Sequence, residues 1–217
     1  MPTVRRLSPH ERAGALETVV AAFAADPLVR WWFPDDATYP DLASRFFGVL
    51  LDTRLEGGEV WAVEIDGTVA AVSMWVPPGG NLIGPDVAGA RYNDVVAGLP
   101  APSAERIAAT DEVIDELLPT EPHWYLGVLA TRPDHRNAGL GTLVCGPVFA
   151  AADRAGVAIA LETAPSVNVA YYTRRGFSVL HEAELASDVS EDENADADGE
   201  PLTVRIMLRS PRADGVR

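Results

Sequence analysis

The sequence predicts a mixed α/β domain, with a central sheet of about seven strands flanked by helices, on three observations. Short β-rich runs alternate with segments of helical periodicity. One run, "HWYLGVLAT" (123–131), is too continuously apolar for a half-exposed strand and reads as a central strand covered on both faces. The composition suits one such unit: 217 residues, 47% hydrophobic and 23% charged, can bury one sizeable core, and no linker is evident, so residues 1–217 are expected to form a single domain.

"PTVRRLS" reads as a short first strand. Ser8 with Glu11 three residues on is a capping box, and Pro9 at the first helical position opens a helix through "HERAGALETVVAAFAAD". Pro27 breaks that helix, and a second, "YPDLASRFFGVLLDTRL", ends near Gly57 and Gly58. "EVWAVEI" and "TVAAVSMWV" flank Asp66-Gly67, a strong hairpin signal, and Pro77 to Gly80 close the hairpin. A loosely patterned stretch precedes the helix "SAERIAATDEVIDELL" and the central strand. "GLGTLVCGPVFAAADRAG" is a helix ending at Gly156, "VAIALET" a strand, "SVNVAYYTRRG" a short helix ending at Gly176, and "FSVLHEAEL" and "LTVRIMLR" the last two strands. Between these lies an acidic segment, residues 186–200, whose composition buries too little apolar surface to offset its ordering entropy; a mobile hairpin loop is expected.

The formal net charge of −15 argues against a nucleic-acid partner, which needs clustered basic residues; positive amines are the favoured ligands. All 17 basic residues are arginine. The N-terminus lacks an apolar signal-peptide core and no run approaches the roughly 18 apolar residues of a membrane span, so a cytoplasmic chain with no membrane partner is expected. The sole cysteine, Cys145, falls beside Val144 and Val148 and reads as core. No His, Cys or carboxylate spacing reads as a metal site. Monomer and homodimer are both open.

The chemistry concentrates in "RPDHRNAGLGTLVC" (132–145). A buried strand, a turn and a glycine-rich helix start describe an anion cradle, in which free N–H groups and the helix dipole favour phosphate. The P-loop pattern needs a Lys after the last glycine, where Thr142 stands, and the Rossmann fingerprint needs Gly or Ala where Val144 stands. What does fit is Arg136-x-x-Gly139-x-Gly141. This motif resembles the pyrophosphate loop of the GNAT N-acetyltransferases, and "EPHWYLGVLATRPDHRNAGLGTLV" (121–144), "ADRAGVAIALET" (152–163) and "NVAYYTRRGF" (168–177) follow in that family's order and spacing. With "PTVRRLS" and "AAFAADP", the layout is most similar to the branch containing puromycin N-acetyltransferase.

The resemblance implies a mixed, mostly antiparallel sheet splayed between its fourth and fifth strands, with acetyl-CoA wedged in the splay. It implies that the backbone of Leu129, Ala130 and Thr131 pairs with the pantetheine arm and that Arg136, Asn137, Ala138, Gly139, Leu140, Gly141 and Thr142 hold the pyrophosphate. Asn137 departs from the glycine common in that branch, but Asn tolerates a left-handed conformation. Asn168 matches a position that touches the pantetheine arm, and would look the same as a helix cap.

An amine attacking a thioester needs its proton removed, the developing oxyanion stabilised and the leaving thiolate protonated. Tyr172 matches the family's tyrosine for the last role; Tyr171 projects about 100° away on a helix and reads as core. Glu162, at the end of the fifth strand, is the first candidate base, or else a solvated carboxylate. His123 ranks second and His135 reads as a surface or cofactor-edge residue. "DPLVRWWFPDD" places Trp31, Trp32 and Phe33 beside Asp26, Asp35 and Asp36, which suits a cationic amine, or else merely packs a helix corner. Asp26, Trp31, Trp32 and His123 are therefore the candidate acceptor-binding residues. The expected activity is acetyl-CoA-dependent N-acetylation of a small-molecule primary amine, among them an aminonucleoside or another antibiotic. The alternatives are a non-catalytic acyl-CoA sensor and an acetyltransferase for protein N-termini or lysines.

Overall fold

The computed structural model describes residues 2–80, 87–185 and 202–212 of the chain. The acidic segment 186–200 lies outside the described residues, as does the expectation of a mobile loop there.

Seven strands form one sheet: β1 (Val4–Arg6), β2 (Glu59–Ile65), β3 (Thr68–Val76), β4 (Trp124–Thr131), β5 (Ile159–Thr163), β6 (Phe177–Glu184) and β7 (Thr203–Arg209), in the order β1-β2-β3-β4-β5-β7-β6. All neighbours are antiparallel except β4 and β5. The predicted hairpin turn is there, with both Asp66 (φ 50°) and Gly67 (φ 77°) left-handed. β3 is buried on both faces from Val69 to Val76, and β4 sits at the centre of the sheet.

The helices are α1 (Arg12–Phe23), α2 (Pro27–Trp32), α3 (Tyr39–Gly57), α4 (Val87–Ala97), α5 (Ala101–Leu117), α6 (Leu140–Ala155) and α7 (Ser166–Thr173). The capping box forms, with the Ser8 N–H donating to the Glu11 carboxylate at 3.1 Å, but Pro9–Glu11 is a single 3₁₀ turn and the α-helix begins at Arg12. Two helices go beyond the sequence reading. Pro27, taken as a breaker, also starts α2, because Asp26 accepts hydrogen bonds from the N–H groups of Leu28 (3.0 Å) and Val29 (3.2 Å). The loosely patterned stretch contains α4, which packs on α3 and α5 through the buried ring of Tyr92.

The core divides by sheet face. One cluster joins the sheet to α1–α5 and includes Trp32, Phe33, Phe46 and Phe47; the other joins it to α6 and α7 and includes Trp75, Val144, Cys145 and Val148. Cys145 is buried, and burial pushes its thiol far above the usual range, so it behaves as a core residue.

Candidate active site

The parallel contact between β4 and β5 is short. Only Trp124, Tyr125 and Leu126 pair with Ile159, Ala160 and Leu161, and beyond that the strands part. Against β3, Met74 faces Val128 while Trp75 faces Leu126, so Gly127 is an extra residue, a bulge at the point where β4 leaves β5. The Arg132 N–H donates to the Ala70 carbonyl at 3.0 Å. Continuing that alternation along the ladder turns Val128 and Ala130 toward β3 and leaves the N–H and C=O groups of Leu129 and Thr131 facing the gap. Of the three residues expected to pair with a pantetheine arm, Leu129 and Thr131 therefore present free backbone edges, and Ala130 spends its groups on Val72.

At the end of β4 the chain turns through Pro133–His135 into the glycine-rich loop. Asn137 (φ 63°) and Gly139 (φ 76°) are both left-handed, as the Asn-for-Gly departure requires. Among the described residues, the N–H groups of Asn137, Ala138, Gly139, Leu140 and Gly141 find no acceptor; the next two, of Thr142 and Leu143, both donate to the Gly139 carbonyl at 3.1 Å. Consecutive free N–H groups on an exposed turn at the start of a 16-residue helix make an anion nest. A Cβ built on Gly139 meets nothing within 4 Å, so this side of the loop is open space; a Cβ on Gly141 would lie 2.5 Å from Tyr171 Oη. Gly141 is thus demanded by Tyr171 packing against the helix start. The Arg136 side chain donates to the Ala22 carbonyl (2.8 Å), tying the loop to the end of α1.

A residue the sequence reading passed over stands here. Arg175 donates from Nε to Thr142 Oγ1 at 2.9 Å, and its guanidinium lies 3.3 Å over the Tyr171 ring. A cation held at the positive end of a helix is opposed by the dipole unless an anion completes the site.

The splay opens into a cavity of ≈ 140 Å³ that reaches from Leu129, Asn168 and Tyr172 to the inner surfaces of α2, α3, α4 and α5. Glu162 and Tyr172 both line it. Burial raises the Glu162 carboxyl to about 7, against the opposing effect of a hydrogen bond donated by the Tyr125 hydroxyl. Tyr125 was not anticipated. Its ring lies over its own strand at the bulge, where a Cβ on Gly127 would be 3.0 Å from Tyr125 Cε1, so Gly127 is what lets the ring lie flat and reach Glu162. A glycine inside a strongly apolar strand was the available signal. Tyr172 is buried at 8% exposure and its hydroxyl has no hydrogen-bond partner among the described residues; burial raises its pKa well above 10, so it stays a donor at neutral pH. Tyr171 points away from the cavity, as expected. Asn168 does not cap α7, whose N-cap is Pro165; its amide donates to Thr163 Oγ1 at 3.0 Å on the cavity wall.

Of the expected acceptor residues, Asp26 and Trp32 line the cavity, and burial raises the Asp26 carboxyl to about 6. Trp32 also packs against Phe46 (5.1 Å between centroids), and its indole donates to Thr110 Oγ1 at 3.1 Å. Trp31 is not in the cavity wall; it is buried beneath the Arg106 guanidinium. His123 precedes β4, at the opposite end of the strand from the gap, bonded to the Glu121 carbonyl at 2.8 Å; five residues of strand, about 17 Å, separate its backbone from Val128. His135 and Asp35 are also outside the cavity, as is Asp36, which pairs with Arg30 on the surface at 2.6 Å. Four further polar groups complete the wall: Arg54, Tyr92, Asp111 and Asp115, with Tyr92 donating to Asp111 at 2.8 Å. Among the described residues, no group of three or more His, Cys, Asp or Glu side chains is placed to hold a metal ion, and no helix is long and apolar enough to cross a membrane.

This arrangement of splayed strands, open β4 edge and helix-start nest is matched by the profile of the acetyltransferase (GNAT) family over residues 26–177, and the chain belongs to that family of acyltransferases, which use acetyl-CoA. Solved structures agree on the fold. Histone acetyltransferase HPA2 and related acetyltransferase from Corynebacterium glutamicum is 24% identical, with a TM-score of 0.63 over 99% of both chains. Arylalkylamine N-acetyltransferase 2 from Aedes aegypti is 13% identical, with a TM-score of 0.65 over 97% of this chain and 99% of its own. The ribosomal-protein-S18-alanine N-acetyltransferase from Escherichia coli is 16% identical, with a TM-score of 0.54 over 100% and 99%.

Proposed function

We propose that this chain transfers the acetyl group of acetyl-CoA to the primary amine of a small molecule, by direct attack in a ternary complex. The observation that carries the reading is the single cavity in which Glu162 and Tyr172 meet the open edge of β4 on one side and an apolar wall, with Trp32, Phe46 and Phe47, on the other. The residues present fit acetyl-CoA: the five free N–H groups from Asn137 to Gly141, with Thr142 and Arg175 beside them, suit its pyrophosphate, and Leu129, Thr131 and Asn168 suit its amide-bearing arm. Bound there, acetyl-CoA supplies an activated thioester carbonyl.

Glu162 acts as the base. With a carboxyl near 7 it is about half ionised at neutral pH, close to the optimum for accepting a proton from an ammonium and holding it. Tyr125 orients it and Arg54 lies within electrostatic reach. Tyr172 donates to the departing sulfur. Its raised pKa does not forbid this, because a sulfur leaving into the same buried surroundings is also made more basic, as the neighbouring Cys145 thiol is. Cys145 itself does not line the cavity, which supports direct attack over an acetyl-cysteine route. The helices α2–α5 roof the cavity, which favours a small acceptor over a protein lysine. The resemblance to the puromycin branch puts aminonucleosides and other antibiotics among the acceptors to try. Thiol release from acetyl-CoA, measured across small amines, antibiotics and a peptide N-terminus, tests the reading. Turnover with small amines supports it, turnover with the peptide alone replaces it, and no turnover with any removes it.

A further inference from the structure

Arg54 sits on the last turn of α3 and faces the cavity. Among the described residues its one hydrogen bond goes from Nη1 to the Thr53 hydroxyl at 2.9 Å, and no carboxylate lies within ion-pair distance. A guanidinium carries five N–H donors and does not shed its charge, so most of a permanent cation's bonding capacity is turned on the cavity. Its electrostatic neighbours there are Tyr125, Tyr92 and Glu162. Tyr125 donates its hydroxyl proton to Glu162 and Tyr92 donates to Asp111, and among the described residues no hydrogen bond joins any of the three to Arg54. Three other arginines of this half of the molecule have carboxylate partners, Arg12 with Asp52, Arg30 with Asp36 and Arg91 with Glu56, while Arg45 and Arg106 donate to backbone carbonyls. A desolvated guanidinium without its anion costs stability, and a planar fork of donors is the geometry for a carboxylate.

We propose that the acceptor is an apolar amino carboxylate, whose carboxylate is gripped by Arg54 while its amine faces Glu162 and its side chain lies against Trp32, Phe46 and Phe47. This rests on the acetyltransferase reading above and narrows it. A zwitterion suits the molecule as a whole, since a net anion would be repelled by a chain of formal charge −15 and a plain cation would be drawn in but would meet Arg54. No covalent step is added. The amine nitrogen forms the new bond to the acetyl carbon and the carbon–sulfur bond breaks; of the two protons that the ammonium sheds, Glu162 takes one and passes it to solvent, and the other makes good the proton that Tyr172 gives to the sulfur.

The test compares matched acceptors: phenylalanine against 2-phenylethylamine, methionine against 3-(methylthio)propylamine, with spermidine as a polycation, in wild type, Arg54→Met and Arg54→Lys, all by thiol release with saturating acetyl-CoA. The expected result is a kcat/KM for the amino acids about 10- to 100-fold above their decarboxylated partners, as a charge-assisted bidentate contact gives. Arg54→Met abolishes that preference mainly through KM: both acceptor classes share whatever the lost charge does to Glu162, so the diagnostic readout is the ratio of amino acid to decarboxylated amine, which falls to about one. Arg54→Lys keeps part of the preference. If the amines are acetylated without preference for the carboxylate, or the preference survives Arg54→Met, this proposal falls and the acetyltransferase reading stands. Should nothing in the panel release thiol from wild type, both fall together. The wild-type comparison decides even if Arg54→Met does not fold.

Discussion

Replacing Tyr125 with Phe removes one hydroxyl and leaves the ring in its place over Gly127. In the structure that hydroxyl donates to Glu162, and the bond favours the ionised carboxylate against the burial that raises it to about 7. A hydrogen bond to a charged group is worth about 1.5–3 kcal/mol, or roughly 1–2 pH units at 1.36 kcal/mol per unit. Because Glu162 opens partly onto the cavity, the lower figure applies, and its carboxyl should move from about 7 to roughly 8. The base works ionised, so the acid limb of kcat/KM moves to higher pH. At pH 7 the ionised fraction drops from about one half to about one tenth, a loss of roughly fivefold, and at pH 9 the two enzymes converge. Initial rates of thiol release from pH 5.5 to 9.5, with acetyl-CoA saturating and the amine well below KM, read this directly. An acid limb that stays in place, or a loss of activity equal at every pH, refutes the assignment of Glu162 as the titrating base.

Tyr172→Phe should keep acetyl-CoA affinity and lower kcat by roughly 10²-fold or more, whereas Tyr171→Phe should leave kcat nearly unchanged; matched kinetics of the two separate donor from core residue, and full kcat in Tyr172→Phe ends the general-acid role. Gly139→Glu should abolish acetyl-CoA binding by calorimetry; its Cβ direction is open space but its φ of 76° strains any side chain, so a drop in Tm of a few degrees with a cooperative transition retained is expected, while Gly141→Ala should lower Tm because its Cβ would strike the Tyr171 hydroxyl. Glu162→Gln should raise Tm at pH 8. The carboxyl is raised from 4.5 in the unfolded chain to about 7 when folded, so its ionisation costs stability as pH climbs through that window; the gap to wild type closes below pH 4.5, and a gap independent of pH contradicts the raised value.

The strands and the long helices were legible because their signals are local: the Asp66-Gly67 turn, the glycine stops at Gly156 and Gly176, and the unbroken apolar run of β4. The glycine-rich loop was legible for the same reason, down to a left-handed Asn137. What escaped is tertiary. α2 looked like a break because Pro27 both ends and starts helices, and only the bonds from Leu28 and Val29 to Asp26 decide between them. α4 fell within a stretch read as loosely patterned, and it packs on α3 and α5. In the cavity, Glu162, Tyr172, Asp26, Trp32 and Asn168 were named in advance, but Arg54, Tyr92, Asp111 and Tyr125 come from three helices and a strand that only the fold brings together. His123 was legible as a residue type but not by place: it precedes β4, at the end of the strand away from the gap.

The central claim is that one cavity between β4 and β5 passes an acetyl group straight from acetyl-CoA to an amine. Acetyl-CoA isotopically labelled in its acetyl group, mixed with the enzyme and each amine, tests it by counting free thiol against labelled N-acetyl product by mass spectrometry. The account predicts one labelled acetyl-amine per thiol, no label on the protein, and a rate sharply reduced in Glu162→Gln. Label retained covalently on the protein, or tight acetyl-CoA binding with no thiol released to any amine, would contradict it.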